Sequence, residues 1–565
     1  MKALNPLGDQ VGGRLFHRHS QWKEITADPF VLGSVQGHLL ELKERPPLVE
    51  SSAKCEVKVP KKLEAAMQSE VDKLVSDGNV EIAPKNKGFH TYPFLVPRKC
   101  KKRWRFIMNL KPLNKYMNVK TFRMVTIREI KTAIRQGWWG VLFDVESAYC
   151  HIPMAKRHRC FLRFRWKGTT YQFKSLPFGL ATAPKTFTRT TRPILLKCRK
   201  LGIILFIYID DGLILAPTKE QAQQHGEIVI ALMERLGFKI SYEKSQLIPV
   251  QKFQHLGLIW DTQNMTTSLP QDKIEKIQDK AKEILKNPTP RRIMQILGQI
   301  NFAAQGMQFA KLRSRPLQFW LQKCLKGPSS LFQRVEISNE ARRCLEMWAT
   351  FKPEPKPLGR TPCQEVVVTD ACPKGFGGQI DRKTFKGLWP GKKGKYTHIN
   401  LLELETVWKA VQEFEEEIQG RAVTFQIDNT TAVAYLMNEG GTRSKQLNNL
   451  ATKILLRCEE LGCQITPAYL RGIANLKADA LSRNQKAQEW HLHKSAFRRI
   501  IKRWGTPTVD LFASKKTKQL ECYFSLDRMD SQAAGRDAAK DNWLKGLRYA
   551  FPPPPLIPLT LANLE

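Results

Sequence analysis

Between residues 205 and 216 the chain reads LFIYIDDGLILA, two apolar runs with adjacent carboxylates between them. Phe206 to Ile209 and Leu213 to Ala216 are aliphatic, β-branched or aromatic, which predicts two buried strands. Asp-Asp-Gly between them predicts a turn, with Gly212 free to take positive φ. WWGVLFDVESAYCHIPM, 138–154, predicts a further apolar strand ending at Asp144. Residues 1 to about 80 are mixed in pattern, with PPLVESSAKCEVKVPKK reading as a linker. Beyond it, Leu63, Met67, Val71 and Leu74 recur at helical spacing and stop at Asp77-Gly78. Strand-like and helical runs alternate from about 81 to 262, and 270 to 350 is mainly helical. PEPKPLGRTP, 353–362, is the clearest linker. Residues 363–485 alternate again, and the tail after 486 is basic, then proline-rich at FPPPPLIP. Together these runs predict an α+β multidomain protein.

A length of 565 residues predicts three or more domains. The net charge of +40, from 92 Lys and Arg against 52 Asp and Glu, points to a polyanionic partner. Nucleic acid is the first candidate and an anionic membrane the second. LGIILFIYI is too short to span a bilayer, and MKALNPLGDQ lacks the apolar core of a signal peptide. The expectation is a soluble intracellular protein of nucleus or cytoplasm, with no membrane partner. Twelve cysteines without a CxxC pair predict neither a zinc site nor a disulfide framework.

The charge is unevenly placed. Ile82 to Arg128 holds thirteen Lys or Arg and no acid, and Ser147 to Ile209 again holds thirteen and none. Asp144, Glu146 and the Asp210-Asp211 pair lie between or just after these blocks. A turn needs one Asp, so the doublet exceeds what a turn requires. Adjacent buried carboxylates repel and are costly to desolvate, and a divalent cation relieves both penalties. Mg²⁺ suits hard oxygen ligands and shares its shell with phosphates. If the strand ending at Asp144 pairs beside the hairpin, Asp144 joins Asp210 and Asp211 around metal on the floor of a polyanion groove.

These residues carry a family resemblance. YIDD resembles the YxDD box of reverse transcriptases, and FDVESAY resembles their first catalytic motif. Tyr149 stands five residues after Asp144, where that family places its ribose gate. SLPFGLATAPKTF, 175–187, is similar to the LPFGLxxAPxxF segment of LTR-type enzymes that backs the incoming nucleotide and contains Phe178. RKCKKRWRFIMNLKPLNK, 98–115, resembles the fingers motif. ISYEKSQL, with Lys244, and FQHLGLIW, with Leu256-Gly257, resemble the later palm motif and the primer grip. The resemblance implies a right-hand fingers, palm and thumb polymerase. It implies that Asp144, Val145, Asp210 and Asp211 hold Mg²⁺, two ions per site with Mn²⁺ as a substitute. Arg98, Arg105, Tyr149, Phe178 and Lys244 would contact the dNTP.

A second set of acids follows. Asp370 ends a strand in EVVVTDACPKGFGGQI, Glu403 lies on a helix in NLLELETVWKAVQEF, Asp428 ends a strand in AVTFQIDNTTAVAYL, and Asp479 falls in ANLKADALSR. Four acids on the ends of separate elements can converge on two metals about 4 Å apart, the arrangement of phosphodiester hydrolysis. Spacing and local sequence resemble ribonuclease H, with Glu403 preferred over Glu405. The resemblance implies an α/β domain that cleaves RNA in RNA·DNA hybrids. The family often carries a His upstream of its last Asp; here Tyr469 stands near that place, which implies slow turnover.

The segments GGRLFHRHSQWKEITADPFVLGSVQG, LGQINFAAQGMQFAKLRSRPL and the tail from EWHLHKSAFRRIIKRW onward resemble DIRS-type retrotransposons, whose tail is similar to an adenine-N6 methyltransferase domain. Such enzymes need Asp, Asn or Ser before Pro-Pro, but Phe551 precedes Pro552-Pro553 here, so a structural or nucleic-acid-binding tail is expected. The expected divisions are 1–80 N-terminal extension, 81–262 fingers and palm, 263–358 thumb and connection, 359–486 ribonuclease H-like domain and 487–565 tail. Expected partners are an RNA template, a DNA or RNA primer, RNA·DNA hybrid and dNTPs, with a tyrosine recombinase and a Gag-like protein supplied by the element. The alternative is a catalytically inactive, retroelement-derived RNA-binding scaffold.

Overall fold

A computed structural model describes residues 10–97, 104–327, 330–359, 362–391, 393–472, 475–483, 491–526, 530–536, 538, 546–553 and 556–562. The chain divides into two compact units, 1–361 and 362–565. The architecture is α+β throughout.

At the centre of the first unit is a four-stranded antiparallel sheet. Its order is Ile204–Tyr208, Asp211–Ala216, Trp139–Asp144 and Gln246–Val250. The second of these strands explains why LILA is apolar without alternation. Leu213 and Leu215 enter one hydrophobic core, whereas Ile214 and Ala216 enter another. Successive side chains point to opposite faces, so a strand covered on both faces must be apolar at every position.

Its neighbour differs from expectation. Ile204–Tyr208 lies at the sheet edge, and only Ile207 of the strand is buried. The turn also differs. Tyr208 pairs with Asp211, so the two-residue turn is Ile209-Asp210, and Ile209 takes the positive φ of 55°. Gly212 is already in the strand, opposite Phe143. A Cβ on Gly212 would collide with the Phe143 ring. The glycine therefore serves the close approach of an aromatic side chain rather than the turn.

The first core spans more of the chain than this sheet. Leu15, Trp22, Val31, Val35, Met67 and Val71 are buried in the same cluster as Val141 and Phe143. Trp22 Nε1 donates to the Leu236 carbonyl at 3.0 Å, fastening residues before 80 to the chain beyond the carboxylate hairpin. The second core is built largely from helices Gln271–Lys286, Pro290–Ala303, Ala310–Leu325 and Asn339–Thr350. Between sheet and helices, strands Lys252–His255 and Leu258–Asp261 form a tight hairpin. Leu256 and Gly257 at its tip have φ of 48° and 72°, the signature of a type I′ turn.

The second unit holds a five-stranded sheet in the order Lys383–Leu388, Gly375–Ile380, Glu365–Ala371, Ala422–Ile427 and Gln464–Tyr469. The first three run antiparallel, and the last two are parallel to the central strand. Helix Ile399–Glu413 packs on it. Beyond this sheet the tail places helix Lys494–Trp504 before a short parallel pair, Val509–Asp510 with Arg548–Tyr549. Among the described residues, no helix is long and apolar enough to cross a membrane.

Candidate active sites

The central sheet brings three acids to one end. Asp144 and Asp211 are register partners across adjacent antiparallel strands. Asp210 occupies the turn that leads into Asp211, and its carbonyl accepts from the Val145 N–H at 2.8 Å. Val145 is itself buried and bridges to Ile240. One Asp210 carboxylate oxygen, Oδ1, is buried without a hydrogen-bond partner among the described residues. Burial first, then the charges of Asp144 and Asp211, push the Asp210 carboxyl up to about 6, with Lys244 and Arg105 opposing. Burial and Asp144 likewise push Asp211 up. Buried polar groups normally find partners, so an orphaned carboxylate oxygen among like charges has the chemistry of a cation ligand.

Lys244 Nζ sits 3.2 Å from Asp144 Oδ1, so the structure places this lysine on a carboxylate. A cavity of about 220 Å³ is lined by Asp144, Asp211, Lys244, Gln254 and the Leu256-Gly257 turn, among others. Tyr149 is buried 4.8 Å from the half-exposed ring of Phe178 and 5.7 Å from Phe187, centroid to centroid. Burial, then Asp210, raises the Tyr149 hydroxyl pKa, which brings that hydroxyl into the field of the acid cluster. Arg105 is exposed on the strand Trp104–Ile107. Arg98 lies outside the described residues.

The second unit builds another acid centre from its sheet. Thr369 pairs with Ile427 across parallel strands, so the next residues, Asp370 and Asp428, emerge side by side. Helix Ile399–Glu413 lays buried Glu403 beside them, and carboxylate oxygens of all three lie within 4.8 Å of one another. Glu405, about 200° round the helix, pairs instead with Lys393. Glu403 is pushed up to about 9 by burial, then by Asp428 and Asp370, and its Oε2 has no hydrogen-bond partner among the described residues. Burial pushes Asp370 up to about 6. Asp479, on helix Leu476–Ser482, is half-exposed and bound by Arg483 at 2.7 Å, outside the tight group but within reach of its field. Both acid sets have the ligand type of divalent-cation sites, and among the described residues Asp370, Glu403 and Asp428 alone bring their donor oxygens within 4.8 Å of one another.

Two residues that sequence reading missed hold this centre in place. Ser482 Oγ donates to Asp370 Oδ2 at 2.5 Å, and Asn475 Nδ2 donates to Asp370 Oδ1 at 3.3 Å. A signal was present: Asn475, Asp479 and Ser482 are spaced i, i+4, i+7, one helix face.

Comparison with known proteins decides the character of the first acid centre. Residues 85–260, which contain Asp144, Asp210, Asp211 and Lys244, match the family "Reverse transcriptase (RNA-dependent DNA polymerase)". This segment is a reverse transcriptase domain. Over 501 residues the chain is 22% identical to the retrovirus-related Pol polyprotein from transposon opus of Drosophila melanogaster, covering 80% of this chain and 47% of that protein. The chain thus spans about half the length of that curated relative. Solved structures with likeness include the foamy viral protease-reverse transcriptase in complex with RNA/DNA hybrid, at 19% identity and TM-score 0.47, covering 82% of this chain and 61% of that one. A form of the same viral protein with double-stranded DNA matches at 18% identity and TM-score 0.49, covering 80% and 81%. The acid cluster, the Tyr149–Phe178 pair and the Leu256-Gly257 turn all lie within the residues 85–260 that match the reverse transcriptase family.

Proposed function

We propose that the chain is an RNA-directed DNA polymerase that copies retrotransposon RNA into DNA and removes the copied RNA with a second, ribonuclease H-type site. The observation that carries the reading is the Asp144–Asp210–Asp211 cluster, with its orphaned Asp210 oxygen, inside a segment that matches the reverse transcriptase family and whose stretches before Asp144 and Asp210, 82–128 and 147–209, carry basic residues and no acid.

In this reading Asp144 and Asp210 hold Mg²⁺, with Asp211 and the backbone at Val145 beside them. The bound cations would lower the pKa of the primer 3′-hydroxyl and neutralise the departing pyrophosphate. The protein's own contribution is positioning and fixed charge. Arg98 and Arg105 neutralise the triphosphate, and Phe178 backs the nucleotide. Tyr149, packed against Phe178 and Phe187, would act as the gate that disfavours a ribose 2′-hydroxyl. Lys244, already on Asp144, offers a mobile cation to the phosphates. The Leu256-Gly257 turn borders the cavity where the primer end would lie.

In the second unit, Asp370, Glu403 and Asp428, joined by Asp479, would hold the cations of hybrid-RNA cleavage. Its sheet order and mixed strand directions support a ribonuclease H-like domain over 359–486. The working parts are then 81–262 fingers and palm, 263–358 thumb and connection, and 487–565 a tail. DIRS-type ancestry, with a recombinase and a Gag-like protein as partners, completes the proposal. An inactive scaffold would have no use for seven retained acids, so the catalytic reading is favoured. The test is primer extension on RNA with dNTPs and Mg²⁺, followed by cleavage of labelled RNA in a hybrid.

A further inference from the structure

Neither acid centre uses helix Lys494–Trp504, KSAFRRIIKRW. At about 100° per residue, Lys494, Arg498, Lys502, Arg499 and Arg503 fall on one half of its circumference. Phe497, Ile500 and Ile501 fall on the other. All five cations are exposed, and none has an acidic partner among the described residues.

Helix stability does not account for this arrangement. Lys494–Arg498, Arg498–Lys502 and Arg499–Arg503 are like-charge pairs at i, i+4 and destabilise an isolated helix. Lys494 also sits in the first turn, where the helix dipole disfavours a cation; only Lys502 and Arg503, in the last turn, gain from it.

We propose that this helix is a second nucleic-acid contact, gripping the phosphate backbone of the RNA·DNA duplex outside both acid centres. A basic amphipathic helix also suits an anionic membrane, but there the apolar face must enter the lipid. Here the centre of that face is occupied: Phe497 is buried, with its ring 4.8 Å from that of Tyr549, and Ile500 and Ile501 are half-buried. What remains outward is five cations and one indole, that of Trp504, a surface whose charge suits phosphates. Trp504, 61% exposed, falls on the apolar half of the circumference at the C-terminal end of the helix, with the Arg503 guanidinium 4.9 Å from its ring. An exposed indole beside cations is also a platform for an unpaired base.

The test uses the full chain and an RNA·DNA hybrid, measuring Kd across a KCl series. Arg498→Gln/Arg499→Gln/Lys502→Gln should weaken binding and lower the slope of log Kd against log salt by about 2–3. Primer extension at saturating template in low salt should stay unchanged. Arg498→Lys/Arg499→Lys/Lys502→Arg should keep the native slope, which separates charge from any loss of fold. Asp210→Asn should keep it as well, so failure of the polymerase reading leaves this result distinct. An unchanged slope in the triple Gln variant overturns the proposal. So does an unchanged slope together with loss of binding to phosphatidylserine vesicles, which would assign the helix to a membrane.

Discussion

Asp144 and Asp211 face each other as register partners on adjacent antiparallel strands, so the backbone ladder itself holds two carboxylates together. Asp210 is tied in by a main-chain bond to Val145 rather than by its side chain. A cluster fixed in this way keeps its shape when a carboxylate is neutralised, and substitutions there can be read as chemistry.

The glycine inside the doublet's strand has no room for a side chain. Gly212→Ala should destabilise the first unit by about 1–3 kcal/mol, because the new methyl meets the Phe143 ring. Phe143→Leu in the same chain should recover part of the loss. Urea unfolding of the single and double variants measures the coupling, and simple additivity would contradict the account.

His151 is a structural histidine held neutral. Its Nε2 accepts from the Lys239 N–H at 2.9 Å, and its Nδ1 lies 3.2 Å from the Ala148 carbonyl. Burial pushes its pKa down to about 3, well below the unfolded value near 6.5. The unfolded chain therefore binds the extra proton, and stability present above pH 6.5 is lost as pH falls. His151→Leu should cost about 1–3 kcal/mol at pH 7 by orphaning that N–H and carbonyl. It should also flatten the fall in Tm between pH 7 and pH 5.

In the second unit, Ser482→Ala removes one of the two hydrogen bonds that aim Asp370. Loss of such support for a metal ligand commonly lowers activity about 10–100-fold. Hybrid-RNA cleavage should fall by that order while primer extension remains at the native rate. An equal fall in both assays would point to general unfolding instead.

Glu403 gives the second unit a pH signature. Its folded-state pKa is raised to about 9, so the folded protein holds a proton that the unfolded chain releases near 4.5. Stability without divalent cation should decline as pH rises from 4.5 toward 9. Glu403→Gln should flatten that decline and abolish hybrid cleavage. Thermal melts in EDTA across the pH range make the measurement, with added Mg²⁺ expected to stabilise the native chain most at high pH.

Much of the site was legible because metal chemistry demands particular residue types: YIDD, FDVESAY and the strand ends at Asp370 and Asp428 could be picked out by identity alone. LILA was legible as a strand because burial on both faces leaves an unbroken apolar run. Gly212 was read in the wrong role, since only the pairing of Tyr208 with Asp211 shows where the turn falls. The edge position of Ile204–Tyr208 was equally hidden, because an apolar run does not reveal whether a neighbouring strand covers it. Leu15, Trp22 and Met67 gave no sign that residues before 80 share a core with Phe143, since periodicity marks a buried face but not what buries it.

The central claim is best tested by primer extension on an RNA template with dNTPs and Mg²⁺, comparing the native chain with Asp210→Asn. Extension by the native chain that is lost in the variant, at unchanged template affinity, is the expected result. Extension by the variant at the native rate, or none by either protein despite tight, salt-sensitive RNA binding, would contradict a metal-dependent polymerase built on this hairpin.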